Sequence, residues 1–324
     1  MTGIVHSTTD PVSRLDLGEA FLQYVLAPDT YIGTHVMASA PVTRKSGVWP
    51  SVLRAQFLRG AASVVRAPGA AYSRGHIKTG ELTYACVERG HEVPLPDSER
   101  SLWSHEFDAE IAIMAEAFNK IVMAQEIAIA AAVFDGTTNF TVANGLRTDV
   151  AAAWSTASTD ILGDVATARE AVRQRTGMDP DTMTVGAGVI PFFLKNTAIR
   201  AALPNSVLQS VEGIVAALPA LFGLDKILVG KGVQNTAGDA LTPVYADIWG
   251  SGWCSIGRTA APGSSLATPC FGRTLFWIDD ADTDSALAES YREPQTRSTI
   301  YRARSNADEL MVDTSQMQLL DIAA

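Results

Sequence analysis

Groups able to do chemistry are sparse in this chain, and their spacing decides what they can do. Val229-Gly230-Lys231-Gly232 looks like the end of a phosphate loop, in which backbone amides and a lysine cradle phosphate oxygens. However, Gly223 stands seven positions before Gly230, and Gly232 occupies the place of the hydroxyl that would hold magnesium. The run reads as a tight turn. His91-Glu92 and His105-Glu106 begin like a zinc-protease helix, but Leu95 and Ala109 stand where a second histidine would complete the metal face. Gly252-Trp253-Cys254-Ser255-Ile256-Gly257 misplaces its serine for a nucleophile elbow, and no histidine follows it to serve as base; a triad would have to draw on a distant histidine such as His35 or His105. Asp279-Asp280 sits in an acidic run and reads as a solvated loop rather than an acid/base dyad. Cys86, Cys254 and Cys270 are far apart and form no CxxC pair, which points to buried thiols and a reducing compartment. No catalytic, cofactor-binding or metal-binding residue is assigned, and the chain is expected not to be an enzyme and to need no cofactor.

What remains is scaffold. The chain has 324 residues, 47% hydrophobic and 19% charged, with its glycines and prolines scattered. That composition excludes collagen, coiled-coil and disordered classes, and the length predicts two lobes or one lobe with extended appendages. Ile127 to Phe134 is the most tempting apolar run and is far shorter than a bilayer span; the N-terminus shows no basic segment leading into an apolar one. No membrane association is expected.

The elements follow from period and punctuation. Residues 1–44 carry Pro11, Pro28 and Pro41 and no sustained period, which reads as an extended arm with a short helix near Leu17 to Leu26. Residues 45–100 are rich in Gly and Pro and enclose two strand-like runs, Gly75 to Lys78 and Leu82 to Glu88, hinged at Thr79-Gly80: a long hairpin. Phe107, Ile111, Met114, Phe118, Ile121, Ile129 and Val133 recur at helical spacing, so one helix is expected over residues 104–135, roughly 45 Å long at 1.5 Å per residue. Further helices are read at Ile161 to Arg175 behind an Asp160 cap, from Pro191 through Ala202, and at Val211 to Leu221. Strands are read at Thr182 to Gly186, Lys226 to Val229, Tyr245 to Trp249, Thr274 to Ile278, Ser298 to Arg304 and Glu309 to Ile322, around a Gly/Ser/Pro-rich loop from Gly250 to Gly272. The class is α+β, with no βαβ repeat.

Charge is unevenly spread. The net charge is -10, yet no acidic residue lies between Asp29 and Glu81, where Arg44, Lys45, Arg54, Arg59, Arg66, Arg74 and Lys78 give +7. From Glu81 to Asp135, eleven acidic residues against Arg89, Arg100 and Lys120 leave -8. A second alternation sets Asp279, Asp280, Asp282, Asp284 and Glu289 before Arg292, Arg297, Arg302 and Arg304. Opposite blocks point to complementary contacts, within a subunit or between copies.

The order of parts, together with several stretches, resembles the major capsid proteins of tailed bacteriophages, whose Hong Kong 97-type fold is shared with encapsulins. Arg66-Ala67-Pro68-Gly69, Thr83-Tyr84-Ala85-Cys86-Val87 and Val93-Pro94 look like the family's extended loop. The acidic helix through Glu126 to Phe134 looks like its spine helix, and Glu289-Ser290-Tyr291-Arg292-Glu293 with Tyr301-Arg302-Ala303-Arg304 looks like its closing strands. The resemblance implies an N-terminal arm over residues 1–44, an extended loop over 45–100, a peripheral domain from 101–190 and 279–324, and an axial domain over 191–278. It implies pentamers and hexamers closing into an icosahedral shell around double-stranded DNA held without sequence-specific binding. It further implies a portal, a separate scaffolding protein because the arm begins almost at once, and a virion assembled in the bacterial cytoplasm. An encapsulin-like compartment is the alternative, and a tail or neck protein a further one. Some relatives form Lys to Asn cross-links; Lys78 and Asn306 would be the positions, although both read as solvated loop residues. Candidate inter-subunit contacts are Trp49, Arg54, Arg59, Arg66, Arg74 and Lys78 on the loop and Glu106 and Glu110 on the helix.

Overall fold

The computed structural model describes residues 12–13, 30–51, 56–58, 65–66, 68–69, 71–72, 74, 79–103, 109–204, 207–208, 210–238, 241–265, 268–278 and 287–323. The expected helix near Leu17 to Leu26 and the run Gly75 to Lys78 lie outside them.

A two-residue strand β1 (Val12–Ser13) is followed by the short helix α1 (Gly33–Val36) and strand β2 (Ser39–Val42). Next come β3 (Ser46–Ser51) and β4 (Gly80–Ala85), which pair antiparallel from Ser46 opposite Ala85 to Ser51 opposite Gly80. The strand β4 thus pairs with one at the start of the loop, so the two ends of the 45–85 stretch are zipped together, while the other strand of the expected hairpin, Gly75 to Lys78, lies outside the described residues. Half-buried Trp49, Leu82 and Tyr84 explain the pairing, because they close over Ala40, Val42, Cys86, Leu275 and Leu310. At buried Cys86 the chain turns into β5 (Val87–Pro96), which leaves the ribbon and joins the main sheet.

Helices α2 (Asp97–Trp103) and α3 (Ala109–Val133) follow. At 25 residues α3 is roughly 37 Å long. The expected start at Ser104 lies outside the described residues, and the helix ends at Val133, just before Asp135. Asp135 accepts hydrogen bonds from the amides of Thr137, Thr138 and Asn139 and from the Thr137 hydroxyl. These outweigh its burial and pull its pKa down to about 2.

The hub then builds through β6 (Arg147–Asp149), α4 (Ile161–Thr176) and β7 (Thr182–Gly186), the last buried at every position. Asp160 accepts from Gly163 N at 2.9 Å and caps α4, and Gly177, at φ 68°, ends it. The helix expected from Pro191 to Ala202 is two, α5 (Ile190–Lys195) and α6 (Thr197–Ala202). Asn196 divides them: its side-chain oxygen accepts from Ala198 N and Ile199 N, and its amide donates to Thr159 O at 2.7 Å. After α7 (Val211–Phe222), β8 (Lys226–Gly230) runs parallel to β7 and completes one crossover unit. A small ribbon, β9 (Val233–Asn235) with β10 (Tyr245–Asp247), comes next. The strand read to Trp249 stops at Asp247, and Trp249 turns into the core.

The stretch read as a loop from Gly250 to Gly272 contains β11 (Trp253–Gly257). The chain closes with β12 (Gly272–Trp277), β13 (Leu287–Glu293), the 14-residue β14 (Ser298–Met311) and β15 (Met317–Asp321). Asn306 lies inside β14 and is buried, which corrects its reading as a solvated loop residue.

Two main sheets result. One runs β1-β13-β14-β12-β2, with β5 also paired to β14; the other runs β6-β15-β11-β7-β8. The first half of α3 packs Ile113, Met114, Phe118 and Ile121 against Leu95, Tyr301 and Ala303 of the first sheet. Its second half places Ile129, Ala130 and Val133 among Trp249, Met317 and Leu319 at the edge of the hub. The hub has its own core, in which Ile161, Val165, Ala168, Met183 and Val185 share one cluster with Phe193, Leu218, Ile256 and Leu320. The helix thus bridges two cores, as its length requires.

Candidate functional site

The described chemistry-bearing runs are absorbed by structure, while His105-Glu106 and Asp279-Asp280 lie outside the described residues. Gly230 closes β8 against Trp249, where an added Cβ would meet Trp249 Cγ at 2.2 Å, and Lys231-Gly232 turns the chain into β9. His91 stands in β5 opposite Ala303, and Glu92 pairs with Arg302 at 3.3 Å. Ser255 is buried in the middle of β11. Among the described residues, no group of three or more His, Cys, Asp or Glu could hold a metal ion, and no helix is long and apolar enough to cross a membrane.

The acidic and basic blocks meet inside the chain. Arg89 forks onto Glu309 at 2.7 and 2.8 Å, and Arg292 forks onto Asp97. Glu289 accepts from Arg302 and from Arg304, the latter at 3.0 Å. Burial raises the Glu289 pKa, but the bonds from Arg304 and Arg302 overcome it and hold the carboxyl below its usual range. Within the stretch from Glu81 to Asp135, Asp97 and Glu92 thus meet Arg292 and Arg302 from the C-terminal part of the same subunit.

Of the residues named for contacts between copies, Arg54, Arg59, Lys78 and Glu106 lie outside the described residues. Trp49 is half-buried on β3 within the small core under the ribbon. Arg66 and Arg74 are exposed, and the Arg66 guanidinium lies 4.5 Å from the Tyr72 ring centroid. Glu110 ion-pairs with Arg100 of its own chain. The loop instead displays apolar side chains: Val48, Phe57 (63% exposed), Leu58, Val65 (92%), Tyr72 (74%) and Val87. Among the described residues, Val233, Leu241, Val244 and Tyr245 around the β9–β10 ribbon are exposed in the same way.

One polar node escaped the sequence reading. Glu126, 3% exposed in α3, accepts from Ile32 N, Gly33 N and the Trp249 indole. The available signal was a lone carboxylate inside the apolar run from Ile121 to Val133, where a solvated charge has no place. Beside it, Ile32, His35, Val211, Val215, Leu228 and Lys231 line a cavity of about 640 Å³.

No family model and no curated protein matches the chain. Solved structures do. A phage-related protein from Bordetella bronchiseptica is 20% identical, covers 97% of this chain and 98% of its own, and has a TM-score of 0.69. The capsid of cyanophage P-SCSP1u is 13% identical over 92% of this chain and 90% of its own, with a TM-score of 0.60. A virus-like particle from Pyrococcus furiosus is 10% identical over 94% of this chain and 98% of its own, with a TM-score of 0.57. The chain has the α+β Hong Kong 97-type fold of phage capsids.

Proposed function

We propose that this chain is a structural shell protein, the major capsid subunit of a tailed phage, whose activity is self-assembly. The observation that carries the reading is the exposed apolar surface strung along residues 48–87 on a ribbon and loop. Such a surface cannot be covered by the strands that bear it, so a second copy of the chain is the natural cover. The fold shared end to end with a cyanophage capsid supports the same reading.

On this proposal, copies join by unlike surfaces into pentamers and hexamers, and these close an icosahedral shell around double-stranded DNA. The arm and loop take the ranges expected from sequence and the hub stands toward the capsomer centre, although the expected 191–278 range does not follow the hub: β6, α4, β7 and β15 belong to it, and β12 belongs to the first sheet. The net charge of -10 suits a container that holds DNA without adhering to it. A separate scaffolding protein and a portal complete the particle, which assembles in the host cytoplasm. No catalytic step is assigned.

The likeness to the virus-like particle from Pyrococcus furiosus favours a second reading, an encapsulin-like compartment. Expression alone and with a neighbouring scaffold candidate, followed by particle mass and negative-stain imaging, tests both. Closed shells whose formation depends on the scaffold candidate support the phage reading, and closed shells formed by the chain alone around an enzyme cargo support the second. A monomer under every salt condition overturns both.

A further inference from the structure

Strand β8 ends the hub sheet: it is laddered to β7, and among the described residues no strand lies beyond it. The outward N–H and C=O groups of such an edge can take a further strand. Along it lies the cavity of about 640 Å³, lined by Ile227, Leu228 and Val229 of β8 and by Val211, Val215 and Ala216 of α7. The helix itself is incompletely covered. Glu212 is its one charged residue, yet only Ile214, Leu218 and Phe222 are buried. A helix apolar on every side needs a cover on every side.

The ribbon that follows has the matching character. Val233 stands opposite Asp247 and Asn235 opposite Tyr245, so these four side chains share one face of the ribbon, and Gln234 and Ala246 share the other. The first face is exposed, Tyr245 by 73%, and the second is half-buried. Although β9 starts only three residues after β8 ends, the two share no ladder, so a chain's own ribbon does not cover its own edge. Each copy thus carries one open edge and one free ribbon, two unlike surfaces of the kind that head-to-tail rings require.

We propose that the β9–β10 ribbon of one copy docks along β8 of the next, with β10 extending the hub sheet and Tyr245 and Val233 filling the cavity beside α7. Ile227 and Val229 pack on the hub core together with Leu218 of α7. An added strand whose apolar face points the same way brings Tyr245 to Val211 and Val215. Charge agrees with this placement. Lys231 is exposed on the cavity wall and Asp247 on the ribbon face, and neither has an ion-pair partner among the described residues. No basic residue lies between Lys231 and Arg258. His35 and Glu212 also line the cavity, so the register that suits the charges sets Asp247 beside Lys231. The inference rests on the self-assembly reading and supplies the pair of surfaces by which copies join.

Cross-linking between two full-length variants tests it. Val211→Cys and Tyr245→Cys chains are mixed, assembled and treated with a short bis-maleimide; Cys86, Cys254 and Cys270 are buried, and wild type sets the background. A covalent dimer is expected in the mixture at several-fold the yield of either variant alone, and a ladder of larger species in a chain carrying both substitutions. Particles that form without this cross-link overturn the contact and leave the shell reading standing. Cross-linking of either variant with itself also overturns it, since like surfaces would then meet. Cross-linked rings that never close support the contact and remove the shell reading, and a chain that stays monomeric overturns both. Tyr245→Glu gives a second readout should a cysteine variant not fold: its Tm is expected to match wild type while the protein concentration needed for assembly rises several-fold. Assembly at the wild-type concentration overturns the proposal.

Discussion

Asp97 and Arg292 meet in a forked ion pair, Nη1 to Oδ1 and Nη2 to Oδ2, each at 2.6 Å. One residue opens α2 and the other stands in β13, 195 positions later. The Arg292 guanidinium holds the Asp97 carboxyl below its usual range. Its contribution is thus present above the ordinary carboxylate range and fades as pH falls through the lowered value. Because both groups are exposed, Asp97→Asn should lower the denaturation midpoint only slightly at neutral pH, and the difference from wild type should disappear in strong acid.

Glu289 is the stronger case, since its side chain is only 9% exposed and serves two arginines. Glu289→Ala leaves both guanidinium groups short of an acceptor and should cost about 1–3 kcal/mol in urea denaturation at neutral pH. The lowered carboxyl sets the sign: the wild-type advantage shrinks as pH falls. An advantage growing toward acid would contradict the pairing.

Gly230 permits Trp249 to lie across the end of β8. Gly230→Ala places a methyl 2.2 Å from the indole and should destabilise by about 1–3 kcal/mol, read as a lowered Tm. Gly250→Ala, where an added Cβ meets nothing within 4 Å, is the control and should change little.

Trp249 also packs edge-on against Phe134, with centroids 5.2 Å apart and planes at 87°. Trp249→Phe keeps most of that packing and deletes one donor from Glu126. The expected loss is about 1–3 kcal/mol at neutral pH. Glu126 should then take up its proton at a higher pH still, so the loss should narrow in acid.

Arg66→Glu with Arg74→Glu reverses charge on the exposed loop without touching a core. On the shell reading, the double variant should need a higher protein concentration to assemble, and its assembly should respond differently to salt. Unchanged particle yield and salt response in light scattering would remove these residues from the interface.

Elements held by local rules were legible. The α4 helix carries its own cap, period and C-terminal glycine, and β7 is a short apolar run between turn signals. What tertiary pairing decides was not. The β3–β4 ribbon joins residues between 29 and 39 positions apart, and no local pattern says that Ser46 faces Ala85. The β11 strand is buried on both faces, so it shows no alternation, and its glycine-rich flanks disguise it as loop. Glu126 falls within the helical period, yet its partners, two backbone amides and an indole, are invisible to any reading of side-chain types. The charge blocks were visible, and the sequence alone left open whether they meet within a subunit or between copies; the fold brings Arg292 to Asp97, Arg302 to Glu92 and Glu289, and Arg304 to Glu289 of their own chain.

Consider β14 as a tension member. Val87–Pro96 is bonded along residues 298–307, Leu287–Glu293 along 298–304 and Gly272–Phe276 along 307–311. Antiparallel ladder bonds lie across the strand direction. A pull along β14 must therefore shear many of them together, where a pull at right angles would peel them one by one. The subunit is stiff along one line and yielding across it, and any assembly that aligns this strand with its load inherits that grain.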